Sequence, residues 1–149
     1  MTVSAMAYLP YIRVAVHDVL GASLGLSLQM VGADQRVQAS GIGADVRLMA
    51  AGVRYRLALA MDAAAAASLL DRLLGQPSAS PDAGALQEAV AEGVNLIAGR
   101  LAGLVDGPLA PMEFGTPHGM QRPDTIVPGT ACAVWQSNGA VIAVYLEVA

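Results

Sequence analysis

The apolar positions of the chain fall into blocks of helical and strand periodicity. Leu9, Ile12, Val16 and Val19 recur at helical spacing. A first helix is therefore expected over about residues 10–20, with Pro10 in its first turn and Gly21 as its stop. A β-rich stretch is expected next. Leu24, Leu26 and Leu28 alternate with small or polar residues, and residues 46–49 and 53–61 follow, separated by Ala50, Ala51 and Gly52. In the last piece Val53, Tyr55, Leu57, Leu59 and Met61 share one face, and Arg54 and Arg56 the other. That period of two marks a half-buried antiparallel strand. Gly41-Ile42-Gly43 lacks the phosphate-loop pattern and reads as an irregularity in a strand.

Asp62 stands where a helix N-cap belongs, ahead of a helix through Leu74 that Gly75 closes. Residues 76–82, with two Pro and two Ser, form a connector. The longest helix is expected over residues 82–105, ending at Asp106, Gly107 and Pro108, with an extended segment around residues 112–114 beyond it. Two strands, 130–136 and 140–148, close the chain, joined at Asn138-Gly139, a strong hairpin signal. Trp135 and Tyr145 are placed in or beside the sheet. The order repeats a helix–hairpin plan. It predicts one α+β domain over residues 1–149, an antiparallel sheet with helices packed on it.

Composition narrows the function classes. The chain has 149 residues, 55% of them apolar and 13% charged, and a net charge of −4. This excludes a disordered chain. The basic residues are scattered Arg with no Lys, so no basic stripe invites nucleic acid. No apolar run approaches the length of a membrane span, and no signal peptide is read at the start, so the expectation is a cytoplasmic protein. Cys132 reads as a small buried side chain. His17 and His118 lie far apart, without the spacing of metal ligands, and no metal site is expected. His17, beside Asp18, reads as a surface or core-edge residue. Asp124 and Glu113 read as loop solvation.

On the long helix, Leu86, Val90, Val94, Ile97, Leu101 and Leu104 step by three or four and form the core stripe. Glu88, Glu92, Asn95 and Gly99 step the same way, roughly 200° around the helix. That places them on the solvent side. A solvated face is cheaply built from Glu, Arg and Ala, whereas each Gly costs about 1 kcal/mol and Asn roughly 0.6 kcal/mol against Ala. Two readings stay open on these residues alone. The glycines, with Gly93 nearby, let another element pack close while the glutamates solubilise the helix, or the stripe is a functional surface.

The stripe resembles the motif of the CheC/CheX/FliY family of chemotaxis phosphatases, and most of all its single-site CheX type. The family pattern is Asp or Ser, three residues, Glu, two residues, Asn, and a Pro about twenty-two residues later. Glu92-Gly93-Val94-Asn95-Leu96-Ile97-Ala98-Gly99 is similar to the CheX core, and Pro117 follows Asn95 after twenty-one residues. Tyr8-Leu9-Pro10-Tyr11-Ile12 and Val19-Leu20-Gly21 resemble the family's first helix. Residues 57–61, with Asp62 and Leu73-Leu74-Gly75, resemble the strand and helix before the motif. Two departures stand out: Glu88 occupies the place of Asp or Ser, and the spacer to Pro117 is about one residue short. The first helix holds no second Glu-x-x-Asn.

The resemblance implies a phosphatase for the phosphoaspartate of a CheY-like response regulator. Asn95 would orient the attacking water and Glu92 would pair with the regulator's active-site Lys. Gly99 would keep the surface low for the partner, and Glu88 would support docking. It implies no cofactor bound by this chain, with Mg²⁺ on the partner, and a homodimer. Two other readings compete. One is a non-catalytic response-regulator-binding or flagellar assembly module on the same fold. The other is a structural dimer domain that pairs through an exposed edge formed by the apolar final strand.

Overall fold

The structure, a computed structural model, describes residues 5–32, 34–50, 52–105, 109–110, 118–120 and 130–149. A 3₁₀ turn, Ala5–Tyr8, leads into helix α1, Leu9–Val16, and the helix continues as a π-helical segment, His17–Ser23. Strand β1 is Gln29–Val31, β2 is Ile42–Ala50 and β3 is Val53–Met61. Helices α2, Ala63–Leu74, and α3, Ala83–Leu104, follow. Strands β4, Leu109–Ala110, β5, His118–Met120, β6, Ala131–Ser137, and β7, Ala140–Val148, complete the described elements.

These strands form one antiparallel sheet in the order β1-β6-β7-β3-β2-β4, with β5 also paired to β2. The hairpins β2–β3 and β6–β7 meet at the central pair β3 and β7, where Ala58 stands opposite Tyr145. Each hairpin follows a long helix, so the helix–hairpin repeat is a property of the fold. The β6–β7 turn has positive φ at both Asn138 and Gly139, 50° and 82°. This is the backbone of a primed two-residue turn, which an Asn-Gly pair adopts at little cost.

The helices cover one face of the sheet. Ile12, Val16 and Leu20 of the first helix, Leu69 of α2, and Val90, Val94, Ile97 and Leu101 of α3 join Leu57, Leu59, Trp135 and Ile142 in the main core. A smaller cluster lies on the other face. There Val37, fully buried, packs with Ala58, Ala60, Val134, Val141, Ala143 and Tyr145. Arg56, between Asp45 at 3.4 Å and Glu147 at 3.1 Å, carries the polar end of that face.

Several sequence expectations change. The first helix does not stop at Gly21, which lies inside the π-helical segment. It ends at Leu24 and Gly25, where Leu24 N–H reaches back to the Val19 carbonyl and Leu26 N–H to that of Leu20. Gly25 there adopts a φ of +75°, open to glycine at no steric cost. The alternation of Leu24, Leu26 and Leu28 does not make a strand. The strand begins only at Gln29, and Leu26 is buried from an irregular connection. Gly43 is a regular position, paired with Ala60 on one side and Met120 on the other. Gly41 lies just outside the strand, where a Cβ would collide with the Val37 side chain and the Gln38 carbonyl.

Asp62 is the N-cap residue of α2 by backbone, yet its side chain caps nothing. Its carboxylate instead accepts the N–H groups of Gln38 and Val141 at 2.7 and 2.8 Å. Cys132 is half-buried rather than buried. The final strand β7 is not an edge. It pairs along its length with β6 and β3, so its backbone donors and acceptors are already used. Edge pairing between subunits through β7 is therefore ruled out. The extended segment at 112–114, Pro117, Glu113 and Asp124 lie outside the described residues.

Candidate functional site

Helix α3 carries the stripe and is anchored at several points. Asp82 caps it, its carboxylate accepting the Ala85 N–H at 2.7 Å. Gly93 is buried where the helix crosses the core, and a Cβ there would stand 3.1 Å from Leu59 Cδ2 and 3.2 Å from Leu69 Cδ2. Gln87 donates from Nε2 to the Gly43 carbonyl of β2 at 2.6 Å. Arg100 donates from Nε to Asp18 at 2.8 Å, tying α3 to the π-helical segment. These contacts fix the rotation of α3 and hence the direction of its outer face.

That face presents the predicted residues. Glu88, Glu92 and Gly99 are exposed, as the helical spacing requires. A Cβ at Gly99 would meet nothing within 4 Å, so no packing inside the described chain accounts for that glycine. Gly93 is the opposite case, a glycine explained by close approach of the core. The packing reading therefore holds at Gly93 and does not account for Gly99.

Asn95 differs from its neighbours. It is half-buried, and its Oδ1 is fully buried with no hydrogen-bond partner among the described residues. A buried carbonyl oxygen without a donor costs about 1–3 kcal/mol. Such an orphan acceptor calls for an explanation, and a water brought in with a ligand is one. One turn earlier, Glu92 is exposed to solvent. Leu96, the residue after Asn95, is 38% exposed and offers an apolar contact.

Sequence reasoning missed three features of this region. Leu96 counted as neither core nor stripe, although it follows Asn95 directly. Gln87 and the Asp18–Arg100 pair depend on contacts between distant segments, and neither has a local signal. His17 is the surface or core-edge residue expected: it is exposed, its Nε2 accepts the indole N–H of the buried Trp135 at 3.2 Å, and the two rings meet edge to face at 5.9 Å. Among the described residues no group of three His, Cys, Asp or Glu side chains could hold a metal ion, and no helix is long and apolar enough to cross a membrane.

No protein-family profile matches the chain, and no curated protein does. Solved structures do. The chemotaxis protein CheX from Vibrio vulnificus is 15% identical with a TM-score of 0.74, over 98% of this chain and 100% of that one. A CheC-like superfamily protein from Shewanella sp. PV-4 is 15% identical with a TM-score of 0.71, over 99% of each chain. A chain of the CheX–CheY–BeF3–Mg²⁺ complex from Borrelia burgdorferi is 17% identical with a TM-score of 0.67, over 95% of this chain and 94% of that one. The chain thus has the fold of the CheX and CheC-like chemotaxis proteins, across nearly its whole length.

Proposed function

We propose that this chain is a phosphatase for the aspartyl phosphate of a CheY-like response regulator, with α3 as the element that enters the regulator's active site. The observation that carries the reading is the buried, unpartnered Oδ1 of Asn95, set one turn from the exposed Glu92 on a helix locked to the sheet. The shared fold and the CheX–CheY complex among the similar structures support the choice of partner.

The chemistry asks little of the enzyme. An acyl phosphate is already reactive, and phosphoryl transfer needs chiefly positioning and charge stabilisation. On docking, the Asn95 side chain turns its Oδ1 from its buried position toward the regulator, where it accepts a hydrogen bond from a water and holds it in line with phosphorus. The water oxygen bonds to phosphorus as the bond to the aspartyl oxygen breaks. The carboxylate leaves with the electron pair, and the water's protons pass to the released phosphate and solvent. A neutral carboxamide orients the water without repelling the phosphoryl oxygens. Glu92 pairs with the regulator's lysine and fixes the docked register. Glu88 supports docking. Mg²⁺ belongs to the regulator in this reading, and this chain contributes no ligand to it.

Phosphate release from a phosphorylated CheY-type regulator tests the proposal. Asn95→Ala is expected to lower the maximal acceleration by about a hundredfold, the scale of a misplaced reactant, with affinity little changed. Glu92→Ala is expected to weaken affinity first. Full activity in Asn95→Ala would refute the water-orienting role. Regulator binding without any acceleration by the wild type would assign the chain to the non-catalytic alternative.

A further inference from the structure

The stripe straddles two ridges of α3. Steps of four residues drift by only about 40° around a helix, so Glu88, Glu92 and Leu96 follow one ridge and Gln87, Ala91 and Asn95 the next. The first ridge is exposed at all three residues, and the second is half-buried at all three. The second ridge starts on the sheet, where Gln87 donates from Nε2 to the Gly43 carbonyl of β2 at 2.6 Å. Gly43 is itself buried and stands between Ala60 of β3 and Met120 of β5, so this acceptor belongs to the fixed interior of the sheet.

The apolar packing under α3 is non-directional. It holds the helix on the sheet yet tolerates small rotations about the helix axis. A hydrogen bond is limited in both length and angle, and does not. On the opposite flank Arg100 and Asp18 are joined by side chains 48% and 38% exposed, and such pairs hold little. The size of rotation that matters is small. Turning α3 by about 10° carries an atom at its outer radius of about 5–6 Å through about 1 Å. A reactant misplaced on that scale loses about a hundredfold in rate.

We infer that Gln87 is a positioning residue for the phosphatase reaction, an inference that rests on the function proposed above. By donating to Gly43 it sets the rotation of α3, and so the place from which the Asn95 carboxamide, about two turns along the same ridge, turns toward the phosphoryl group. It touches neither the water nor the phosphate. This accounts for a half-buried carboxamide at residue 87, where Ala or Leu would pack with no polar group to satisfy.

Phosphate release by the wild type, Gln87→Glu and Gln87→Lys, over a range of regulator concentrations, tests the role. Gln87→Glu keeps the shape but sets a carboxylate against a carbonyl, acceptor on acceptor, whereas Gln87→Lys restores a donor. Gln87→Glu is expected to lower kcat by about tenfold or more with KM changed by less than about threefold, and Gln87→Lys to return kcat to within about threefold of the wild type. A packing role would treat the two charged replacements alike. If the carboxylate prevents folding in urea controls, Gln87→Met, which lacks the donor without a charge, carries the same expectation. A ¹⁵N spectrum of the free protein reads the same rotation without the chemistry. The Asn95 carboxamide signal, identified by its loss in Asn95→Ala, should move in Gln87→Glu and stay near its wild-type position in Gln87→Lys. A wild type without acceleration would overturn the phosphatase reading and this role with it. An active wild type with kcat unchanged in Gln87→Glu, or with equal losses in the Glu and Lys variants, would overturn the role of Gln87 and leave that reading standing.

Discussion

Gly93 sits against Leu59 so closely that a methyl group at residue 93 would lie 3.1 Å from the leucine's Cδ2, and Leu69 closes the same space at 3.2 Å. Gly99, six residues further along the helix, has open space around it. Alanine should therefore act oppositely at the two sites. Gly99→Ala removes a helix penalty and is expected to stabilise the protein by about 1 kcal/mol in urea unfolding. Gly93→Ala gains the same propensity but must push two fully buried leucines, and is expected to be net destabilising by about 1 kcal/mol. If Gly99 keeps the docking surface low, the more stable Gly99→Ala should be the poorer phosphatase. A Gly99→Ala protein of undiminished activity would remove that residue from the partner surface.

The contrast shows where sequence reasoning reached and where it stopped. Helix α3, the Asn138-Gly139 turn and the exposure of Glu88, Glu92 and Gly99 all follow from local rules: spacing and turn conformation. The half-burial of Asn95 does not, because it depends on which neighbours flank the helix. The π-helical run after Val16 was hidden for a similar reason. Its geometry goes with contacts to distant residues, His17 to Trp135 and Asp18 to Arg100. Strand β7 looked like an edge since its residues are apolar and weakly charged. The same composition suits a central strand, and only the pairing on both sides decides between them.

Asp62 joins three segments. Its carboxylate accepts from Gln38 and Val141, and its own N–H donates to the Val141 carbonyl at 2.9 Å. Asp62→Ala would orphan two backbone donors around a site only 6% exposed. A loss of about 2–4 kcal/mol in urea unfolding is expected, since each unsatisfied donor costs about 1–3 kcal/mol. Asp62→Asn keeps one acceptor oxygen and should fall between. The loss should leave the regulator affinity of the remaining folded protein unaltered, because Asp62 is not on α3. A cost below about 0.5 kcal/mol for the alanine variant, the range of an ordinary surface substitution, would contradict this reading of the hydrogen bonds.

Burial pushes the Cys132 thiol above its ordinary range, with the nearby Arg36 charge opposing by a smaller amount. The folded protein therefore holds the thiol proton more tightly than the unfolded chain. Stability from this group is complete below the unfolded thiol's value and declines as pH rises through it toward the folded value. Under reducing conditions, urea unfolding at about pH 7.5 and about pH 9.5, on either side of the ordinary thiol, should give a lower stability at the higher pH. Cys132→Ala should flatten part of that slope, leaving the contribution of Tyr55, which burial also raises. Alkylation by iodoacetamide should likewise be slower in the folded protein than in the denatured chain near neutral pH. Equal rates would show that the thiol is not held protonated by its surroundings.

Trp135 is the only tryptophan and is fully buried, so it reports directly on its hydrogen bond to His17. An imidazole that accepts through Nε2 carries its proton on Nδ1, and a side chain without an acceptor would leave the buried indole N–H orphaned. His17→Ala is expected to cost about 1–3 kcal/mol and to change the Trp135 emission. The pair can be separated from simple packing by a double-mutant cycle with Trp135→Phe, which removes the donor as well. A coupling of about 1 kcal/mol is expected, since in the Phe background His17→Ala strands nothing. The helical segment that holds His17 also holds Asp18, the anchor of Arg100 on α3. Loss of His17 should therefore reach the proposed phosphatase site through the seating of α3, lowering activity more than Cys132→Ala does. Activity fully retained in His17→Ala alongside a measured coupling would confine the His17–Trp135 bond to stability alone.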